Sequence, residues 1–275
     1  MMKAFDRVTA ARAADRLTSS DFISALFGDS FFELHGDRRF ADDKAIKAGI
    51  GMLGNMPVTV IGLDKGKNTK ERVDKNFGSA HPEGYRKALR LMKQAEKFRR
   101  PVLCFVDTSG AFCGIGAEER GQGQAIAENL MEMMTLKTPI LSIFIGEGGS
   151  GGALALAVAN EVWMLENAVY SVISPEGCAS ILWKDPSKTA DVAQCLRLTA
   201  NDLFTMDVIE RIIREPRTVD SPLFDSLRNL ISNTFSKYIL MSDEELLEHR
   251  YNRFRKYGQT TDIFTFEDCD DNKGE

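Results

Sequence analysis

Apolar and polar positions along this chain follow two rhythms. Short unbroken apolar runs at 58–63 and 102–107 read as buried strands, and a stretch of helical period lies between them. That stretch, 82–98, opens on Pro82 and repeats Tyr85, Leu89, Met92 and Ala95 on one face, leaving Lys87, Arg90 and Lys93 for solvent. A second helix is predicted over 117–136, burying Ile126, Leu130 and Met133, and it hands over to an apolar strand at 140–145. A glycine-rich turn at 146–152 then leads into a small-residue apolar run at 153–159, read as a buried helix, and short strands follow at 161–165 and 170–174. Strands alternating with helices predict a layered α/β core with mostly parallel strands. The expected organisation is a helical N-terminal segment at 1–39, a core at 40–216, C-terminal helices at 217–258 and an acidic tail without order at 259–275.

Composition narrows the setting. The 275 residues, 43% of them hydrophobic, suffice for one large core. Lys and Arg total 35 against 40 Asp and Glu, and a net charge of -5 gives no reason to expect nucleic-acid or anionic-membrane binding. The five cysteines, at 104, 113, 178, 195 and 269, make no C-x-x-C pair, so reduced thiols are expected and neither a zinc ribbon nor another metal site in this chain. The first residues carry Asp6 and Asp15 with no apolar core, a poor signal peptide, and no apolar stretch reaches membrane-spanning length. A cytoplasmic protein is expected.

The turn at 146–152 is the strongest chemical signal. A helix that opens in glycine offers unpaired backbone N–H groups and the positive end of its dipole, so something negative should sit at Gly148, Gly149, Gly151 and Gly152. Gly146, Gly148 and Gly151 also satisfy the dinucleotide fingerprint, with Glu166 placed for a ribose. Gly148, Ser150 and Gly152 equally satisfy the nucleophile elbow, which would make Ser150 a hydrolase nucleophile. A third reading uses only the amides of Gly151 and Gly152 to hold an oxyanion. A second glycine-rich turn after the strand at 102–107 contains Gly110, Ala111, Gly114 and Gly116, so one amide from Gly110 or Ala111 and one from Gly151 or Gly152 could meet at a single oxygen. For hydrolysis the chain offers only His35, His81 and His249 as bases, and no triad is evident. The basic run Lys65, Lys67, Lys70, Arg72 and Lys75 reads as a solvated loop or a grip on an acidic cofactor or carrier, and Arg120 as a helix-start charge or a partner for a ligand carboxylate.

Longer ordered motifs carry a resemblance. HPEGYRKALRLM at 81–92, GIGAEERGQ at 114–122, GEGGSGGALA at 146–155 and YSVISPEGCASILWK at 170–184 resemble the α subunit of bacterial acetyl-CoA carboxylase carboxyltransferase, over about 21–258. The resemblance implies a crotonase-like fold of stacked ββα units with helical N- and C-terminal additions. It implies transfer of a carboxyl group from carboxybiotin, borne by a separate biotin carboxyl carrier protein, to acetyl-CoA, giving malonyl-CoA for fatty acid synthesis. The implied partners are a zinc-ribbon β subunit in an α2β2 heterotetramer and biotin carboxylase in the wider complex. Gly151 and Gly152, with Gly110 and Ala111 opposite, would be the catalytic donors, and Gly148, Gly149, Gly114 and Gly116 would line the cofactor. Valine at Gly151 or Gly152 is then expected to block the amides while leaving assembly nearly intact. The chain departs from the family in having Ser109 and Phe112-Cys113 where prolines and a tyrosine are usual, and in a shorter N-terminal extension. Ser174 stands where peptide-hydrolysing relatives carry histidine, which weakens the Ser150 reading. A non-catalytic scaffold is the remaining alternative.

Overall fold

The computed structural model describes residues 2–258; the tail read at 259–275 lies outside them. In chain order the elements are α1 (Ala4–Ala11), α2 (Ser19–Phe27), β1 (Phe32–Glu33), β2 (Ile46–Leu53), β3 (Met56–Leu63), α3 (Thr69–Asp74), α4 (Pro82–Lys97) and β4 (Val102–Thr108). Then follow α5 (Ile115–Glu119), α6 (Gln122–Thr135), β5 (Ile140–Gly149), α7 (Ser150–Leu154), β6 (Glu161–Leu165) and β7 (Val169–Ser171). The chain continues through α8 (Pro175–Cys178), α9 (Thr189–Cys195), α10 (Ala200–Thr205), β8 (Arg211–Ile213), α11 (Leu223–Ile239) and α12 (Asp243–Arg255).

The eight strands form one sheet in the order β1-β2-β3-β4-β5-β6-β8, with β7 paired to the end of β5. β1, β2 and β3 are antiparallel neighbours, and from β3 to β8 every pairing is parallel. The central strands β4 and β5 are continuous apolar runs because they are covered on both faces. Phe22 of α2 lies 5.4 Å from Phe105 of β4 and 5.1 Å from Phe224 of α11, while α4 packs against β2, β3 and α6. The expected face of α4 is buried at Tyr85, Leu89, Met92 and Ala95.

Several expectations are corrected. Lys87, read as exposed, is 1% exposed, because its ammonium reaches Asp42 Oδ1 at 2.6 Å and the Asp43 carbonyl at 2.8 Å. The predicted helix over 117–136 is two helices, broken where Gly121 takes φ 82°. β5 runs on through Gly149, because Glu147, Gly148 and Gly149 pair with β7. The helix read at 153–159 is consequently only the short α7, which starts at Ser150 with φ 52°. The front segment is not wholly helical, since β1 adds an edge to the sheet.

The C-terminal helices are structural members of the core. Arg250 of α12 is fully buried and donates to the carbonyls of Met133 (2.6 Å), Leu136 (2.8 Å) and Thr138 (2.9 Å) and to Asn160 Oδ1 (2.8 Å). It thus satisfies the orphan carbonyls where α6 ends and the chain turns into β5.

Candidate active site

The two glycine turns meet at the carboxyl ends of the parallel strands β4 and β5, the edge where open parallel α/β sheets bind ligands. They touch backbone to backbone. A Cβ added at Gly149 would lie 2.0 Å from the Ser109 carbonyl oxygen, and one at Gly152 would lie 2.4 Å from Ala111 N. Any side chain at either position would force the turns apart. The first-turn N–H groups of α7 have no partner within their helix, and no side chain caps them.

The other predicted glycines divide by cause. Gly148 is buried within the sheet, and a Cβ there would strike the Phe144 ring at 2.1 Å, so its glycine answers to the Phe144–Tyr170 ring contact. Gly114 caps α5 next to the Phe112 ring, and Gly116 lies in the first turn of α5. Gly110 donates its N–H to Thr108 Oγ1 at 3.1 Å. Ala111 N–H makes no hydrogen bond among the described residues, which leaves it the freer donor. The contact at Gly152 also corrects the expectation for valine there, since a larger side chain collides with the Gly110–Ala111 backbone before it reaches any ligand.

Ser150 is exposed and makes no side-chain hydrogen bond among the described residues. None of the histidines pairs with Ser150 among the described residues. His35 meets Asp42 at 3.1 Å, His81 stacks on Phe112 at 4.1 Å, and His249 packs edge-on to Tyr238. Ser174 caps α8 through Gly177 N. Glu166 accepts from Glu215 N at 3.1 Å, a loop-fixing role. Arg120 is held by Glu83 at 2.8 Å and lies over the Phe40 ring. None of these contacts builds a triad or a ribose site.

A chain of charges was not legible in the sequence. Lys65, two residues past β3, bridges Asp107 Oδ1 (2.8 Å) and Glu147 Oε2 (2.9 Å). Glu147 in turn receives Arg12 of the segment after α1, whose guanidinium also holds Glu176 of α8. Burial alone would raise the Glu147 carboxyl, but the charge of Lys65 and the hydrogen bond from Arg12 hold it below its ordinary value. Burial would likewise lower Lys65, yet Asp107 and Glu147 together raise it. The network ties the ends of β3, β4 and β5 together directly beneath the glycine turns. The basic run is therefore not one solvated loop: Lys67 pairs with Asp21, and Lys75 with Asp64 at 3.1 Å. Tyr85, 0% exposed, also reaches the site, donating to the Gly152 carbonyl at 3.3 Å.

No group of His, Cys, Asp and Glu suited to a metal ion occurs among the described residues, and none of their helices is long and apolar enough to cross a membrane.

Comparison with known proteins places this architecture. The family model for acetyl co-enzyme A carboxylase carboxyltransferase-like proteins matches residues 1–258. The acetyl-coenzyme A carboxylase carboxyl transferase subunit alpha of Ruminiclostridium cellulolyticum is 62% identical over 260 residues, covering 94% of this chain and 100% of its own. The corresponding subunit of Streptococcus equi subsp. zooepidemicus is 58% identical, covering 90% and 96%. Among solved structures, transcarboxylase 12S superposes with TM-score 0.68 at 15% identity over 84% of this chain and 44% of its own. A Pseudomonas malonate decarboxylase hetero-tetramer superposes with TM-score 0.67 at 17% identity over 87% and 96%. These neighbours share the crotonase-like fold expected from the motifs, and the sequence matches decide the rest: this chain belongs to the acetyl-CoA carboxylase carboxyltransferase α-subunit family.

Proposed function

We propose that this chain supplies the carrier side of a carboxyltransferase that moves a carboxyl group from carboxybiotin to acetyl-CoA, giving malonyl-CoA. The backbone contact between the two glycine turns carries this reading, because it gathers N–H donors of separate loops at one strand end. When bound, the carboxylated ureido ring supplies a transferable carboxyl group and an oxygen that gains charge on losing it. The N–H groups of Gly151 and Gly152 would hold that oxygen, with Ala111 rather than Gly110 as the opposite donor. Each such donor is worth ~3 kcal/mol of transition-state stabilisation in a dry site. The glycines leave the backbone approachable, Tyr85 braces the Gly152 carbonyl, and the Lys65 network fixes the strand ends. No protein side chain is required to act as base, which accords with no histidine pairing with Ser150.

The family to which the chain belongs supports a partner β subunit that contributes the CoA side, a separate biotin carrier protein, and a cytoplasmic location. The test is to combine the chain with that β subunit and follow malonyl-CoA-dependent carboxylation of free biocytin, with each subunit alone as control. Activity in the mixture alone is expected. A confirmed complex with no activity would refute catalysis and leave a scaffold.

A further inference from the structure

The segment between α3 and α4 holds a conformation that its residue types disfavour. Asn76 (φ 48°), Phe77 (φ 55°) and Gly78 (φ 81°) are consecutive left-handed residues. Glycine accepts this and asparagine tolerates it, but for a bulky side chain such as phenylalanine it is an outlier. The turn is pinned on every side but one. Gly78 N donates to the Lys75 carbonyl, Ser79 N donates to the Asn76 carbonyl, and Asn76 Nδ2 lies 3.1 Å from His81 Nδ1. A Cβ at Gly78 would lie 2.7 Å from the Lys65 side chain and 2.9 Å from the Asp107 carbonyl. The ring of Phe77 is not used in this packing and remains 56% exposed. A strained backbone that presents a large ring to water gains nothing for the core.

That ring lines a cleft of about 200 Å³ together with Arg72, Lys65, Asp107, Ser109 and Glu147. Ser109 leads into the glycine turn that holds Gly110 and Ala111, so the cleft opens beside the proposed donors. Its cations differ. Lys65 is neutralised by two carboxylates, whereas Arg72 is held by the carbonyls of Gly66 (3.3 Å) and Ala14 (3.1 Å) and makes no ion pair among the described residues. Two carbonyls orient a guanidinium without cancelling its charge. The volume is below the ~300–1,000 Å³ of clefts that take drug-sized ligands, so it suits one small ring system.

We propose that Phe77 and Arg72 form a subsite for a flat ring bearing an anionic group, with Phe77 as the stacking wall and Arg72 as the counter-charge. This rests on the carboxyl-transfer reading above, in which the group is the carboxylated ring of the carrier. An adenine ring with its phosphate has the same chemistry, and the two sources separate in the kinetics.

The test uses the complex with the β subunit. Phe77→Gly relieves the backbone, so its thermal midpoint should equal or exceed that of wild type. Its KM for biocytin should rise about tenfold, the ~1.4 kcal/mol expected of one lost aromatic contact, with the KM for malonyl-CoA unchanged. Biocytin binding followed by saturation-transfer NMR should weaken in parallel. Arg72→Gln should keep the biocytin KM and lower kcat, because the ring acquires its charge only during transfer. An unchanged biocytin KM in Phe77→Gly would overturn the proposal, as would a rise confined to malonyl-CoA, which would assign the wall to the nucleotide. A wild-type complex without biocytin-dependent activity would instead sink the carboxyl-transfer reading itself, and this subsite with it.

Discussion

Replacing Gly152 by alanine puts a single methyl group where the two glycine turns touch. The new Cβ would stand 2.4 Å from Ala111 N, 2.7 Å from Gly110 C and 2.9 Å from Tyr85 Oη. Comfortable contacts lie near ~3.5 Å, so the turns must part by about 1 Å, and the first two obstacles are backbone that cannot rotate away. Overpacking of this kind costs ~1–3 kcal/mol. For a domain of this size each kcal/mol is roughly 2–4 °C in Tm, so a fall on the order of 5 °C is expected. Catalysis should suffer more, because misplacing a positioned group by ~1 Å costs on the order of 100-fold. Gly123→Ala is the control, since a Cβ there meets nothing within 4 Å, and alanine is favoured in a helix by ~0.5–1 kcal/mol. Thermal unfolding and biocytin carboxylation by the complex with the β subunit measure both effects. A Gly152→Ala protein with wild-type Tm and turnover would refute the claim that contact between the turns sets the site.

Further outcomes follow from the same geometry. Lys65→Met should leave Asp107 without its cation and Glu147 with Arg12 alone; breaking a buried pair costs ~3–5 kcal/mol, and the 20% exposure of the Lys65 side chain puts the loss at the low end. Because the folded Glu147 carboxyl lies below its ordinary 4.5, its pairing stabilises fully above that pH and fades as pH falls through the folded value; Tm of the wild type should drop there, and that drop should shrink in Lys65→Met. Ser150→Gly should raise Tm, as a left-handed non-glycine residue costs ~1–2 kcal/mol, and Ser150→Ala should keep turnover; a dead alanine variant would revive the nucleophile reading. Arg250→Met should destabilise by ~3 kcal/mol or more through carbonyls left unpaired, read as a lower urea midpoint.

The legible parts of this fold are those whose residues answer to local rules. Pro82 and the spacing of Tyr85, Leu89, Met92 and Ala95 define α4, and the unbroken apolar runs define β4 and β5. β2 escaped because it contains Gly49 and Gly51, residues that weaken a strand reading. Their reason is tertiary: a Cβ at Gly49 would lie 2.2 Å from the Phe32 carbonyl, and one at Gly51 would strike the Phe27 ring at 2.5 Å. Lys87 was misplaced for the same cause, its partners Asp42 and Asp43 being far away in sequence. At the site, the meeting of the two glycine turns was legible because each follows a buried parallel strand. The Lys65, Glu147 and Arg12 network was not, since each residue looks like an ordinary surface charge until the strand ends are set side by side.

The buried guanidinium of Arg250 also bears on how this protein is made. It comes from the last described helix, yet it completes the junction from which the strand leading to the glycine turn departs. During vectorial synthesis, everything from α1 to α11 leaves the ribosome before that residue does. The carbonyls of Met133, Leu136 and Thr138 must wait, hydrated, for a partner more than a hundred positions later. A nascent chain interrupted before α12 therefore lacks more than a tail: the central strand of its sheet would start from an open seam, and such a fragment is a natural substrate for chaperones and proteases.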